Sequence, residues 1–200
     1  MRKILLILIL IYLVMSVTSC YGFAVVRKDG PYEGRVIDVD TGEPIEGVVV
    51  LGVWYKQHPG SGGAVSEYYD AMETVTDKKG EFKINGLGLL IISNVIPMDV
   101  LIFKAGYEYE SGLWSALKKY AKKIKWEGDK AIIPLKKLTM EERRKQGTPD
   151  FYIGERYDKK ENITHSCLPK NIKLLPKEVN KELLEQGLKP YDLEGGQCEK

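Results

Sequence analysis

Apolar and polar positions alternate through the middle of this chain and change to a helical spacing toward its end. Val36, Ile37 and Val39 are β-branched, and Asp40-Thr41-Gly42 follows them with turn chemistry. The pattern predicts a strand over 34–38, a tight turn, and a longer strand over 48–56. His58-Pro59-Gly60-Ser61-Gly62-Gly63 reads as a flexible loop. A strand over 71–76, a turn at Asp77-Lys78-Lys79-Gly80 and a partner strand over 81–84 come next, with Phe82-Lys83-Ile84 showing the period of two that marks one wet face. Residues 87–97 are apolar and contain glycine, which suits either a buried strand or a hydrophobic loop.

A further strand is expected over 99–104. From 113 to 126 the spacing becomes helical: Leu113, Leu117, Tyr120 and Ile124 share a face opposite Lys118, Lys119, Lys122 and Lys123. A last strand is expected over 130–135. Thr139-Met140-Glu141-Glu142 is a capping-box pattern that opens a short helix ended by Gly147, and a second helix is expected over about 176–186. Short strands divided by turns, with few helices between them, predict a mainly β protein built as an antiparallel sandwich.

The N-terminus has a different character. Arg2 and Lys3 precede an uncharged apolar run over 4–15, then Ser16-Val17-Thr18-Ser19-Cys20. The run is shorter than the ~20 residues that span a bilayer as a helix, so it reads as a secretory leader. Val17-Thr18-Ser19-Cys20 resembles a bacterial lipobox, which implies cleavage after residue 19 and acylation of Cys20; an ordinary leader cut nearby is the other reading. Several acyl chains would hold the mature protein firmly on a membrane surface, each buried CH₂ adding ~0.8 kcal/mol. Tyr21 stands where Asp would resemble an inner-membrane retention signal, so the outer membrane is the expected destination. Residues 20–33 are expected to form a tether.

Loss of residues 1–19 removes Arg2 and Lys3 and leaves 28 basic against 28 acidic side chains. A neutral surface argues against nucleic acid as a partner, because phosphate binding requires a basic surplus. With Cys20 acylated, Cys167 and Cys198 are an even pair in an exported chain, for which an oxidising compartment favours a disulfide. Such a bridge closes a loop of about 30 residues and contributes about 3–4 kcal/mol in the chain-entropy account. Two free thiols, or pairing with another protein, are the alternatives.

Gly34-x-Val36, Asp40-Thr41-Gly42-x-Pro44-Ile45-x-Gly47-Val48-x-Val50, Thr74-Val75-Thr76-Asp77-x-x-Gly80-x-Phe82 and Lys104-Ala105-Gly106-Tyr107 together resemble the carboxypeptidase regulatory-like domain. The resemblance covers residues 34–137 and implies a transthyretin-like (prealbumin-like) β-sandwich. It leaves 138–200 as a C-terminal extension with short helices. About activity it implies almost nothing, since function lies in a site and not in a fold.

No catalytic constellation emerges. A zinc peptidase needs clustered His and carboxylate ligands, whereas His58 and His165 are the only histidines and neither lies in His-x-x-Glu or His-Glu-x-x-His. Iron dioxygenases on a related sandwich use a closely spaced His-x-His pair, and hydroxyisourate hydrolases a C-terminal Tyr-Arg-Gly-Ser; both are missing. Asp38-x-Asp40-x-Gly42 resembles the start of a calcium loop but lacks its later ligands, so a hairpin turn is expected there. No catalytic residue, cofactor or metal is therefore expected. Trp54, Tyr55, Tyr68 and Tyr69 flank the Gly-rich loop, and Trp54, Tyr68 and Tyr69 form a candidate aromatic rim for a sugar or peptide, core packing being the alternative. The lysines at 118–123 would either lie on anionic head groups or be solvated while the apolar face closes the sandwich. The reading as a whole is a non-enzymatic, membrane-anchored envelope lipoprotein that binds an envelope protein or the cell wall, with a carbohydrate- or peptide-binding module as the alternative.

Overall fold

In a computed structural model, the alternating segments form two four-stranded sheets packed face to face. The structure describes Tyr12 and residues 24–60, 62–120, 123–158, 163–193 and 196–198. In chain order the strands are β1 Ala24–Asp29, β2 Tyr32–Asp38, β3 Val49–Gly60, β4 Gly63–Val75, β5 Glu81–Ile84 and β6 Gly88–Ser93. They continue with β7 Asp99–Phe103, β8 Glu110–Leu113, β9 Lys125–Glu127, β10 Lys130–Leu135, β11 Gly154–Asp158 and β12 Ile163–Cys167. Helices α1 Trp114–Tyr120, α2 Met140–Gln146 and α3 Leu174–Glu185 complete the described elements.

One sheet has the order β5-β2-β10-β9 and the other β4-β3-β7-β8. The protein is mainly β, as its periodicity implied. One pair departs from the antiparallel rule: β10 runs parallel to β2, with Ile133 opposite Val36. Between the sheets, Val36, Phe82, Ile133 and Leu135 meet Val50, Trp54, Val100 and Ile102 in one buried cluster. Gly34 is required here, because a Cβ would sit 2.7 Å from the Phe82 ring and 2.8 Å from the Ala131 carbonyl.

β3 is buried on both faces. Val48, Val50 and Trp54 belong to the cluster between the sheets, while Val49, Leu51 and Val53 belong to a second cluster with Phe151, Leu168, Ile172, Leu175, Val179 and Leu183. The described part of the C-terminal extension therefore packs on β3 as a third layer. Each buried side chain of this size contributes about 1.5–3 kcal/mol. Polar clamps fix the register of this layer. Glu182 accepts from Gly106 N (2.7 Å), from the Arg143 guanidinium (2.6 and 2.8 Å) and from Gln186 (2.6 Å), and Glu178 accepts from Ala105 N (3.0 Å). The Cys167–Cys198 disulfide closes the layer, with Cα atoms 5.0 Å apart.

Several expected boundaries change. His58, Pro59, Gly60 and Gly63 are paired and not in a flexible loop: β3 and β4 stay in register to Gly60↔Gly63, as the end of a long hairpin. The expected tether contains β1, paired with β6. The helix expected over 113–126 ends at Tyr120, and Trp126 lies on β9 opposite Ala131, because strand pairing takes the residues whose spacing also suited a helix. Leu117 and Ile124 are nevertheless buried in the core as the apolar face required. The capping box is present, with Thr139 and Glu142 bonded reciprocally and Gly147 ending α2. The Asp38 carboxylate accepts the N–H groups of Asp40 and Thr41, which closes the expected turn, but β2 and β3 on either side of it join different sheets and do not pair as a hairpin.

Candidate functional site

The rim expected from the sequence comes apart in the structure. Trp54 is wholly buried, so it is a core residue and not a rim residue. Its Nε1–H donates to Asp29 Oδ2 at 2.8 Å. Asp29, itself 1% exposed, also accepts from the Tyr32 hydroxyl (2.7 Å) and Leu87 N (3.0 Å), and Arg27 lies 3.3 Å away. Burial, reinforced by the neighbouring Asp29 carboxylate, drives the Tyr32 phenol far above its ordinary range. This is a satisfied structural hub that ties β1 to β2 and β3. Sequence periodicity gives no hint of it, since the partners lie up to 58 residues apart.

Tyr68 is half-buried against the third layer, and burial pushes its phenol up to about 12. Tyr69 is exposed, with the Lys56 ammonium 4.3 Å from its ring centre, so one aromatic face already carries a cation. His58 pairs with Glu67 at 3.1 Å on the outer hairpin. Lys118 pairs with Asp129, and Lys123 with Glu108. Cys20 lies outside the described residues, and among those described no helix is long and apolar enough to cross a membrane.

The concavity with the most chemistry lies between the second sheet and the third layer, with a volume of about 240 Å³. Strand alternation builds its floor. On β7, Val100 and Ile102 point into the core between the sheets, so Asp99 and Leu101 face the other way. Across the ladders Asp99 lies opposite Val53, and Leu101 opposite Leu51 and Ser111. Tyr55, Tyr109 and Ser111 supply hydroxyl groups, and the segment 149–153 forms the far wall. Phe151, 1% exposed and stacked on Tyr152 at 4.8 Å, anchors that wall, while Asp150 accepts from Tyr152 N at 2.9 Å.

Asp99 is the unusual member. Its Oδ1 is buried and has no hydrogen-bond partner among the described residues. Burial holds its carboxyl above the ordinary range, partly offset by the Val100 N–H. A desolvated oxygen without a partner is unfavourable by about 1–3 kcal/mol, which a donor able to reach it would recover. Two carboxylates, two phenols and an apolar floor suit an ammonium or guanidinium group, which aromatic faces also attract. Among the described residues the cavity lining contains no histidine, cysteine or lysine. The signal available in the sequence was Asp99 itself, a charge opening an otherwise apolar strand.

Comparison with protein-family models, curated proteins and solved structures finds no match. Fold and cavity define a class: a mainly β sandwich domain with a disulfide-closed outer layer.

Proposed function

We propose that this protein is a non-enzymatic envelope module, held to a membrane through acylated Cys20, that captures a cationic group of an envelope protein or cell-wall peptide in the cavity at Asp99. The observation that carries the reading is Asp99, which lines a cleft with Tyr55, Tyr109 and Ser111 and whose buried Oδ1 has no hydrogen-bond partner among the described residues. The lipobox-like leader supports the anchor. The four motif blocks, set on two stacked sheets, support assignment of residues 34–137 to the carboxypeptidase regulatory-like, transthyretin-like family.

Photo-crosslinking in intact cells from a probe at Ser111 tests the capture reading. It is expected to yield envelope adducts that are lost in Asp99→Asn and retained in Tyr69→Ala. In vitro, peptides ending in lysine should bind the purified protein and norleucine analogues should not. Equal adduct yields from folded Asp99→Asn would overturn the assignment of the cavity. The carbohydrate reading keeps no comparable support, because its central residue, Trp54, lies in the core.

A further inference from the structure

The β1–β6 ribbon has its polarity inverted. Val26 pairs with Ile91, and Lys28 with Leu89, on one face; Arg27 pairs with Leu90, and Asp29 with Gly88, on the other. The inward face carries the charges: Asp29 is buried in its hub, Arg27 donates to the Val95 carbonyl, and Leu90 packs on the core. The outward face carries Val26, Leu89 and Ile91, 62–65% exposed, with Lys28 among them. Ile92 is also 65% exposed and adopts φ 46°, a conformation that β-branched residues rarely accept. Contiguous exposed apolar side chains on a soluble domain mark a contact surface, and strained backbone clusters at such places.

The position of the ribbon in the chain selects the occupant. Cys20 precedes Ala24, the first residue of β1, by four residues, which span at most about 14 Å when fully extended. An acyl chain on Cys20 therefore brings this face within reach of the bilayer surface. We infer that the Val26–Leu89–Ile91 face lies in the interfacial layer of the membrane that holds Cys20, with Lys28 at the level of anionic head groups; this inference rests on the anchor reading above. Apolar side chains would enter the head-group and acyl boundary while the lysine meets phosphate, as in other surface-lying amphipathic elements. Together, anchor and ribbon would fix the orientation of the sandwich and not merely its attachment.

The test uses the full chain, processed in cells and reconstituted into vesicles of phosphatidylethanolamine and phosphatidylglycerol. Ile91→Cys, and as a reference Leu184→Cys on the exposed face of α3, are each labelled with an environment-sensitive fluorophore. Blue-shifted emission at position 91, with several-fold stronger quenching by lipids spin-labelled near the head group than at position 184, is expected. Water-like emission at both positions in protein that still floats with the vesicles would overturn the inference and leave the anchor intact. A blue shift at position 91 that depends on protein concentration and not on lipid would overturn it in favour of a second copy. Failure to float, with an unmodified Cys20 by mass spectrometry, would overturn the anchor reading and the inference with it.

Discussion

Glu73 on β4 caps α3 through Leu175: its Oε1 accepts Leu175 N at 2.7 Å, while Oε2 accepts Lys173 N (2.6 Å) and Leu174 N (2.8 Å). The side chain of Lys173, at the local cap position, makes no capping bond. A carboxylate about 100 residues away in sequence thus satisfies the free amides and faces the positive end of the helix dipole.

Removing that cap should loosen the third layer first. Glu73→Ala is expected to destabilise the protein by about 1–2 kcal/mol, and Glu73→Gln by less, in urea titrations. Hydrogen exchange should quicken at 173–175 well before it quickens in β3. Unchanged exchange there would show that water replaces the carboxylate without loss.

The Asp29 hub invites a subtler substitution. Trp54→Phe keeps an aromatic ring in the core but removes the Nε1 donor, leaving Asp29 Oδ2 with Leu87 N. A cost of about 1–3 kcal/mol is expected, as for a buried acceptor that loses a partner. Thermal melts of the two proteins at neutral pH would check it.

Reduction of Cys167–Cys198, which closes a separation of 31 residues, should lower stability by about 3–4 kcal/mol on the chain-entropy account. The loss belongs to the third layer, so amides of α3 and β12 should open while those of β2 and β10 hold. Melts with and without dithiothreitol, followed by exchange mass spectrometry, distinguish this from global unfolding.

Acid should release the layer as well. Burial alone would raise the Glu182 carboxyl, but the Arg143 fork, Gln186 and Gly106 N outweigh it and hold the group below its ordinary value. A carboxyl depressed in the folded state stabilises fully above the unfolded value near pH 4, and that stability is lost as pH falls through the folded value. Glu182→Gln should therefore be less stable than the parent at pH 7, with the difference shrinking below about pH 4. A constant difference across that range would show that the ion pair is not the cause.

Local chemistry accounts for what could be read directly. Alternation at Phe82-Lys83-Ile84 gave β5, the capping box at Thr139 and Glu142 gave α2, and Gly187 bounded α3. Each depends on groups within a few residues of one another. Trp54 was the residue most open to misreading, because an aromatic beside a Gly-rich stretch is equally compatible with a rim and with a core.

The sequence by itself determined the strand periods, the Asp38 and Asp77 turns, the capping box of α2 and the parity of the cysteines, because these depend on backbone preferences and near neighbours. The uninterrupted apolar run at 48–53 also recorded that β3 is covered twice, although it could not say by what. Only the tertiary structure decided that the cover is the C-terminal layer, that Glu73 caps α3, that Asp29 collects Trp54 and Tyr32, and that Asp99 lines a cleft. Those relations join residues far apart in the chain, and they exist only once packing has brought distant surfaces together and removed water from between them.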